Sequence, residues 1–242
     1  MVQILLEYGA DVNIEVEAGR PLWAAIHSHN KSVSVIVDIL LKSGADVNLR
    51  SDSGQGTPLQ VAAAEGSFGI VNKLIDHGAM VNAEGSPHTA LCAAAITGDV
   101  QIMRLLLDSG AHIQARDRYG KTPLHHAASG RHKDSNPAKI LLERGAATNM
   151  RDAKSWTPLH YAAVTGNQAV VELLLEMGAD SEIEDNLGRK PFTFGSHNGS
   201  MILSSSSHSQ FARVLSTPPP RNSYPWVVMH RRMQQPSIFS LS

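Results

Sequence analysis

The chain has 242 residues, of which 42% are hydrophobic, and it contains one cysteine and carries a formal net charge of −1. One cysteine excludes an internal disulfide framework, and no segment approaches the roughly 18 consecutive apolar residues that a membrane-spanning helix requires. The amino terminus lacks the basic residues that precede the apolar run of a signal peptide. These features predict a location in the cytoplasm or the nucleus.

The near-neutral total conceals two oppositely charged segments. Residues 1–185 contain 15 Lys or Arg and 22 Asp or Glu, a net charge of −7, whereas residues 186–242 contain 6 Lys or Arg and no acidic residue. The acidic segment argues against duplex nucleic acid as the main partner, because phosphate binding depends on a concentrated basic face. The basic tail would add at most weak, nonspecific affinity for nucleic acid.

The predicted elements begin with a short apolar helix within residues 1–10, which ends in a Gly-Ala pair. The same ending recurs at Gly44, Gly78, Gly110, Gly145 and Gly178. A second phrase of seven residues starts at Thr57, Thr89, Thr122 and Thr157, in steps of 32, 33 and 35 residues. Two phrases that share one period indicate a tandem array of repeats, and such arrays usually bind other molecules.

Each unit is predicted to start with a short helix. Thr157 caps the helix start through its hydroxyl, and Pro158 suits the first helical position because it has no N–H. Leu159 supplies a core anchor, and the alanines after it let a neighbouring helix approach closely. Gly166 ends the helix. The same start is found at Thr57, Pro58 and Leu59 and at Thr122, Pro123 and Leu124.

A second helix is predicted after a short turn. Its apolar residues have the three-and-four spacing of a buried stripe, as in residues 102–107 and 170–175. Gly178 stands where helices commonly close with a left-handed residue, and residues 180–189 have the composition of a polar loop. One unit is therefore helix, turn, helix and long loop.

These phrases resemble the ankyrin repeat, whose Thr-Pro-Leu-His-Xaa-Ala and Gly-Ala-Asp-Val-Asn sequences are matched by residues 157–162 and 44–48. The resemblance covers residues 1–194 and implies an all-α solenoid of stacked helix-turn-helix units. It places a partial unit at 1–19, further units from near 20, 57, 89, 122 and 157, and a degenerate unit from about 189. In ankyrin repeats the histidine of the phrase, here His125 and His160, ties a loop to the helix start by hydrogen bonds.

The array departs from regularity at several places. We predict insertions in residues 28–34 and 131–136, between the two helices of a unit, where a surface turn lengthens at little cost. The chain starts inside a unit, so we hypothesise that the natural protein extends upstream, which mapping the transcript's start codon would test. Residues 195–242 are rich in Ser, Pro and Gln and are expected to be disordered. Their Pro218–Pro220 run could fit an SH3-type groove, but a linker is the simpler interpretation.

No combination of residues predicts catalysis. In other units the place of the histidine is taken by Gln60, Cys92 or Trp23, which share no acid–base chemistry, so we interpret Cys92 as a packed side chain. His125 and His126 are adjacent and diverge on a helix, and the histidines near residue 28 lack partners at a metal-binding spacing. The glycines near residue 55 do not complete a phosphate-binding loop. We therefore expect no catalytic residue, metal or cofactor.

The candidate binding surface consists of loop tips and the exposed side of the first helices. In an ankyrin stack these positions align from unit to unit into a concave surface. Here the sequence varies freely just before each first helix starts and just before it ends. The predicted protein-binding residues are Gln55, His88, Arg118, Tyr119, Lys121, Lys154 and Trp156 near the loops, and Ile96, Thr97 and Thr165 near the helix ends.

Trp156 and Tyr119 have the greatest weight in this prediction, because aromatic residues dominate interface energetics. The alternative is that Trp156 folds back over its neighbouring loop as packing. With Arg118, Lys121 and Lys154 beside these rings, we hypothesise that the groove accepts a partner segment carrying carboxylates. Trp156→Ala would then weaken partner binding by about 2 kcal/mol or more.

The sequence thus predicts a non-catalytic protein-interaction module, a scaffold or adaptor that is monomeric, has no small-molecule substrate and does not insert into membranes. The alternative function is a regulatory or targeting segment of a longer enzyme or channel. A full-length transcript distinguishes the two. An enzyme within the array would need a cleft of converging titratable groups, which the sequence does not indicate.

Overall fold

A computed structural model of the chain describes residues 2–15, 20–28, 32–50, 56–83, 88–130 and 134–194. Throughout these ranges the regular structure is helical, with no β-strand. The helices are α1 Val2–Glu7, α2 Pro21–His27, α3 Val33–Lys42, α4 Pro58–Ala64, α5 Phe68–Asp76, α6 Ala90–Thr97, α7 Val100–Asp108, α8 Pro123–Ser129, α9 Asn136–Glu143, α10 Pro158–Thr165 and α11 Gln168–Glu176, followed by a 3-10 turn at Pro191–Phe194.

The helices form two layers of a solenoid. The first helices of successive units, α2, α4, α6, α8 and α10, contact each other in order, and the 3-10 turn packs against α10 in the place of a further first helix. In the other layer α1, α3, α5, α7 and α9 contact each other in order. The predicted all-α solenoid is confirmed for the described residues. The predicted disorder of residues 195–242 lies outside them.

The first helices start as the sequence predicts. At α4 the extended residue Thr57 precedes Pro58, and the Gln60 side chain accepts a hydrogen bond from the Thr57 N–H at 2.8 Å. The leucine that follows each Thr-Pro pair is almost completely buried, as at Leu59 and Leu124. Because small alanines follow, neighbouring first helices can pack side by side along the whole layer.

The second helices end at the Gly-Ala pairs. Gly178 has a φ of +83°, a left-handed conformation that costs glycine little, and the Ala179 N–H returns to the Leu174 carbonyl at 2.8 Å. In α5, α7, α9 and α11 the leucine four residues before the Gly-Ala pair is completely buried. These leucines are Leu74, Leu106, Leu141 and Leu174. The hydrophobic core is therefore a row that runs through the units.

Asparagine side chains connect successive units behind these helix ends. The Asn82 amide donates to the Gly110 carbonyl at 2.9 Å, and its oxygen accepts from the His112 N–H at 2.8 Å, about one repeat further along the chain. The same pair of bonds is made by Asn13, Asn48 and Asn149. Four junctions are thus held by polar bonds between neighbours as well as by the apolar row. At the junction after α7 the position is occupied by Gln114, whose buried Oε1 has no hydrogen-bond partner in the described structure.

The two longer units differ where the sequence predicts, between paired helices. Helix α2 ends at His27 and α3 begins at Val33, and α8 ends at Ser129 while α9 begins at Asn136. The predicted insertion ranges extend slightly too far, since residues 33, 34 and 136 are already helical. Among the described helices, none combines the length and apolar character that spanning a bilayer requires.

Candidate functional site: the loop aspartates and the surface they support

Three aspartates, which we call the loop-aspartate row, shape the last three described loops: Asp117, Asp152 and Asp185. One carboxylate oxygen of Asp152 accepts hydrogen bonds from the N–H groups of Lys154 at 2.8 Å and Trp156 at 2.9 Å. The other two aspartates accept from the residues two and four positions after them in the same way. Each loop is therefore a closed turn built around one buried carboxylate.

Neighbouring loops are also bonded to each other. The Ala153 N–H donates to the Tyr119 carbonyl at 3.0 Å, and the Asn186 N–H donates to the Lys154 carbonyl at 3.2 Å. The Asn186 amide adds a bond to the Ala153 carbonyl at 3.2 Å. Side chains at matching loop positions consequently lie next to each other in a continuous surface.

The second oxygen of each aspartate meets a different side chain in each unit. For Asp152 it is the Tyr161 hydroxyl, which donates at 2.6 Å. For Asp185 it is the Trp156 indole N–H at 3.0 Å together with the Arg189 guanidinium at 2.7 Å. One carboxylate oxygen of each aspartate thus stabilises its own loop, whereas the side chains that contact the other oxygen differ from unit to unit.

At Asp117 the second oxygen meets two imidazoles. Nε2 of His126 donates to it at 2.9 Å, and Nδ1 of His88 lies 3.3 Å away. The two imidazole rings contact edge to face with centroids 5.0 Å apart. We call Asp117, His88 and His126 the His-Asp-His cluster.

Burial and hydrogen bonding set the charge of these groups. Burial opposes ionisation of Asp117, but hydrogen bonds from the Lys121 N–H and from His126 outweigh it and hold the pKa of this carboxyl below its ordinary value. Asp185 behaves alike, because the bonds from Arg189 outweigh burial and lower its pKa. For Tyr161, burial and then the carboxylate of Asp152 raise the pKa of the phenol. At neutral pH Asp117 and Asp185 are therefore charged and Tyr161 is not.

The two histidines of the repeat phrase form the hydrogen bonds that the resemblance implies. Nδ1 of His125 accepts from the Thr122 N–H at 3.0 Å, while Nε2 donates to the Trp156 carbonyl at 3.0 Å. His160 makes the corresponding bonds to Thr157 and to the Arg189 carbonyl. Burial lowers the pKa of His125 to about 4 and also lowers that of His160, so both are neutral at physiological pH. They hold loops and are not poised for acid–base chemistry.

The predicted aromatic anchors lie in different surroundings. Tyr119 is half exposed, and the Arg118 guanidinium lies 5.2 Å from its ring centroid. Trp156 is partly buried: its ring stacks on His160 at 5.8 Å and meets Tyr161 edge to face at 5.0 Å. For Trp156 the structure therefore shows the packing arrangement that the sequence left as an alternative.

The predicted cations lie close to these rings. Lys121 is partly buried, with Nζ 4.4 Å from the ring centroid of Tyr161, and Lys154 is exposed at the next loop tip. Within the described ranges neither lysine forms an ion pair with a carboxylate, and the same holds for Arg118. Elsewhere Arg144 is paired with Asp108 at 2.7 Å. The three cations are thus available to an incoming acidic group.

The remaining predicted residues are not brought together with this surface. Ile96 and Thr97 are exposed at the carboxyl end of α6, and Thr165 is exposed at the carboxyl end of α10. Each first helix separates its ends by about 12 Å, so these residues lie apart from the loops that precede the helices. Gln55 is outside the described residues.

Sequence reasoning found His88 as a loop residue but missed its association with Asp117 and His126. A signal was present, because Asp117 and His126 occupy the repeat positions of Asp152 and Tyr161. The interpretation of Cys92 as a packed side chain is confirmed. It is fully buried, and burial raises the pKa of its thiol to about 12, which makes it a poor nucleophile.

Comparison with known proteins identifies the repeat. A family described as ankyrin repeats (3 copies) matches residues 1–85, 23–117, 81–152 and 114–185, so that the overlapping matches span more than half of the chain. Ankyrin repeats are generally protein–protein interaction modules and are typically not enzymes. A comparison with curated proteins found no match. The chain belongs to the ankyrin repeat family.

Proposed function

We propose that the chain is a non-catalytic interaction module that binds an acidic segment of another protein. The proposed contact residues are Arg118, Tyr119, Lys121 and Lys154, which we call the basic loop surface. The observation that carries this proposal is three cations without a carboxylate partner in the described structure, next to a half-exposed tyrosine. They belong to an array whose residues 1–185 carry a net charge of −7.

The physical chemistry of this surface favours a carboxylate-bearing polypeptide. A guanidinium such as that of Arg118 can form bidentate bonds with carboxylates, and the Tyr119 ring supplies apolar area at low entropic cost. The ring of Tyr161 holds the Lys121 ammonium by a cation–π contact, which limits the side-chain entropy lost on binding. Duplex nucleic acid is disfavoured because the surrounding array is acidic.

The loop bonds support this role by fixing the surface before a partner arrives. Tyr119 and Lys154 both contribute carbonyls to bonds between loops. Preorganised loops lose less entropy on binding than mobile ones. A rigid surface of variable side chains on a regular stack thus supports selective recognition. We propose that the module acts as a monomer. The alternative of a regulatory segment in a longer enzyme or channel stays a prediction.

The test is affinity capture with the full chain, followed by titration of the partner that is identified. We expect Arg118→Glu with Lys154→Glu to weaken binding at least tenfold, about 1.4 kcal/mol, and Tyr119→Ala to cost about 2 kcal/mol. Trp156→Ala is a less selective probe, because this ring also contacts His160 and donates to Asp185.

The matched control is Lys42→Glu with Lys139→Glu, which makes the same change in charge at exposed positions of the second-helix layer. This control should bind like the wild type. Equal losses in the two charge-reversed proteins would show that overall charge alone governs binding and would refute the proposed surface. Competition by DNA but not by an acidic peptide would refute the proposed class of partner.

A further inference from the structure

The His-Asp-His cluster brings three potential metal ligands together from separate parts of the fold. His88 precedes α6, Asp117 belongs to the following loop, and His126 lies within α8. One ligand atom from each residue lies within 4.8 Å of the other two, and Oδ2 of Asp117 faces Nδ1 of His88 and Nε2 of His126. The Asp117 side chain is fully buried and that of His126 is 6% exposed.

The cluster leaves one polar atom without a partner. Nδ1 of His88 is buried and makes no hydrogen bond within the described structure, although it lies 3.3 Å from the Asp117 carboxylate. A buried imidazole nitrogen without a partner costs free energy. A cation placed between this nitrogen and the carboxylate would satisfy both.

The separations of the ligand atoms are close to those that a small divalent ion requires. Zn²⁺ binds histidine nitrogen and carboxylate oxygen at about 2.0–2.2 Å in a tetrahedral arrangement, which sets ligand atoms about 3.3–3.6 Å apart. The distance from His88 to Asp117 is 3.3 Å, and the distance from His126 to Asp117 is 2.9 Å. The ligand atoms of the two histidines lie within 4.8 Å of each other, so a bound ion would draw the two imidazoles together and separate His126 slightly from Asp117.

Backbone N–H groups hold Asp117 in position, and His88 is accessible to solvent. The other oxygen of Asp117 accepts from the N–H groups of Tyr119 at 2.8 Å and Lys121 at 2.9 Å, which fixes the carboxylate as outer-shell bonds do in known metal sites. The His88 side chain is 34% exposed, which provides a path from solvent.

We propose that His88, Asp117 and His126 bind one Zn²⁺ ion, with water at the remaining coordination position. Imidazole and carboxylate ligands in this number suit Zn²⁺ and related transition-metal ions more than Ca²⁺ or Mg²⁺, which prefer sites made of oxygen atoms. The ion would join the loop before α6 to the loop before α8, two neighbouring units of the stack.

The residues at the equivalent positions of the next unit indicate which substitutions would remove this metal site. There the positions of His88, Asp117 and His126 are occupied by Lys121, Asp152 and Tyr161. Tyr161 donates to its aspartate at 2.6 Å, and Lys121 lies over the tyrosine ring at 4.4 Å. His88→Lys with His126→Tyr would reproduce that arrangement, retaining a hydrogen bond to Asp117 while removing two metal ligands.

The experiment is a calorimetric titration of the metal-free full chain with ZnCl₂ in a non-chelating buffer. We expect one Zn²⁺ per chain and a thermal unfolding temperature that rises with Zn²⁺ concentration. The double variant should bind at least about 100-fold more weakly, since even outer-shell changes cost about 10–100-fold. His88→Gln, at a partly exposed position, should lose at least about tenfold and serves as the readout if the double variant does not fold.

The matched control is His77→Gln with His112→Gln, at two exposed histidines, which should bind Zn²⁺ like the wild type. The chain has 12 histidines, so binding elsewhere is the main competing result. Unchanged Zn²⁺ affinity in His88→Gln, or loss of affinity in the control alone, would overturn the proposal. Absence of stoichiometric binding to the wild type would also overturn it.

Discussion

Asp152→Ala is the mutation that most sharply probes the loop-aspartate row. The Asp152 carboxylate accepts two backbone N–H bonds at 2.8 and 2.9 Å and the Tyr161 hydroxyl at 2.6 Å. A hydrogen bond to a charged group contributes about 1.5–3 kcal/mol, and exposed loop N–H groups recover part of this from water. We therefore expect a loss of about 3 kcal/mol in the free energy of unfolding, the equivalent of one or two such bonds.

The assay is urea unfolding followed by far-ultraviolet circular dichroism, with a nearest-neighbour repeat analysis if the transition is not two-state. Asp180→Ala is the matched control, because Asp180 is exposed and accepts a single turn bond from the Glu182 N–H at 2.8 Å. It should cost about 1 kcal/mol or less. Equal destabilisation by the two substitutions would refute the view that the buried carboxylate organises its loop.

Two further predictions concern titratable side chains. Burial lowers the pKa of His160, so its stabilising contribution should be complete above about pH 6.5, the ordinary histidine value, and should decline as the pH falls toward the folded-state pKa. His160→Gln should fold, because Gln60 makes the corresponding bonds at 2.8 Å. The unfolding free energy of this variant should depend less on pH below about pH 6.5 than that of the wild type. An unchanged pH dependence would count against the stabilising role of neutral His160. The Cys92 thiol, with a pKa of about 12, should react with a disulfide reagent far more slowly in the native protein than in urea. Equal reaction rates would show that it is accessible in the folded state.

The local features of the fold could be predicted because they depend on residues a few positions apart. Thr57 and Pro58 specify a helix start, and Gly178 supplies the left-handed ending of a helix, whatever lies beside them. Repetition of these signals was sufficient to predict the solenoid and the places where it lengthens. The family comparison agrees, since ankyrin repeats match residues 1–185.

The candidate site was less predictable because its contacts join neighbouring units. Trp156 could have faced solvent. Instead its indole N–H donates a hydrogen bond to Asp185, which lies 29 residues further along the chain. The association of His88 with Asp117 likewise depends on how two loops are placed side by side. The residue type at a position does not determine which way its side chain points relative to the next unit, because this orientation follows from how the units stack.

Native-state amide hydrogen exchange in the wild type and Leu174→Ala tests most directly the claim that each unit is stabilised mainly by its immediate neighbours. Leu174 is completely buried in α11, and its truncation should cost about 2–5 kcal/mol. We predict faster exchange in α10 and α11, a smaller effect in α8 and α9, and unchanged exchange in α4 and α5. Equal acceleration from α4 to α11 would contradict the account, because it would indicate a single cooperative core.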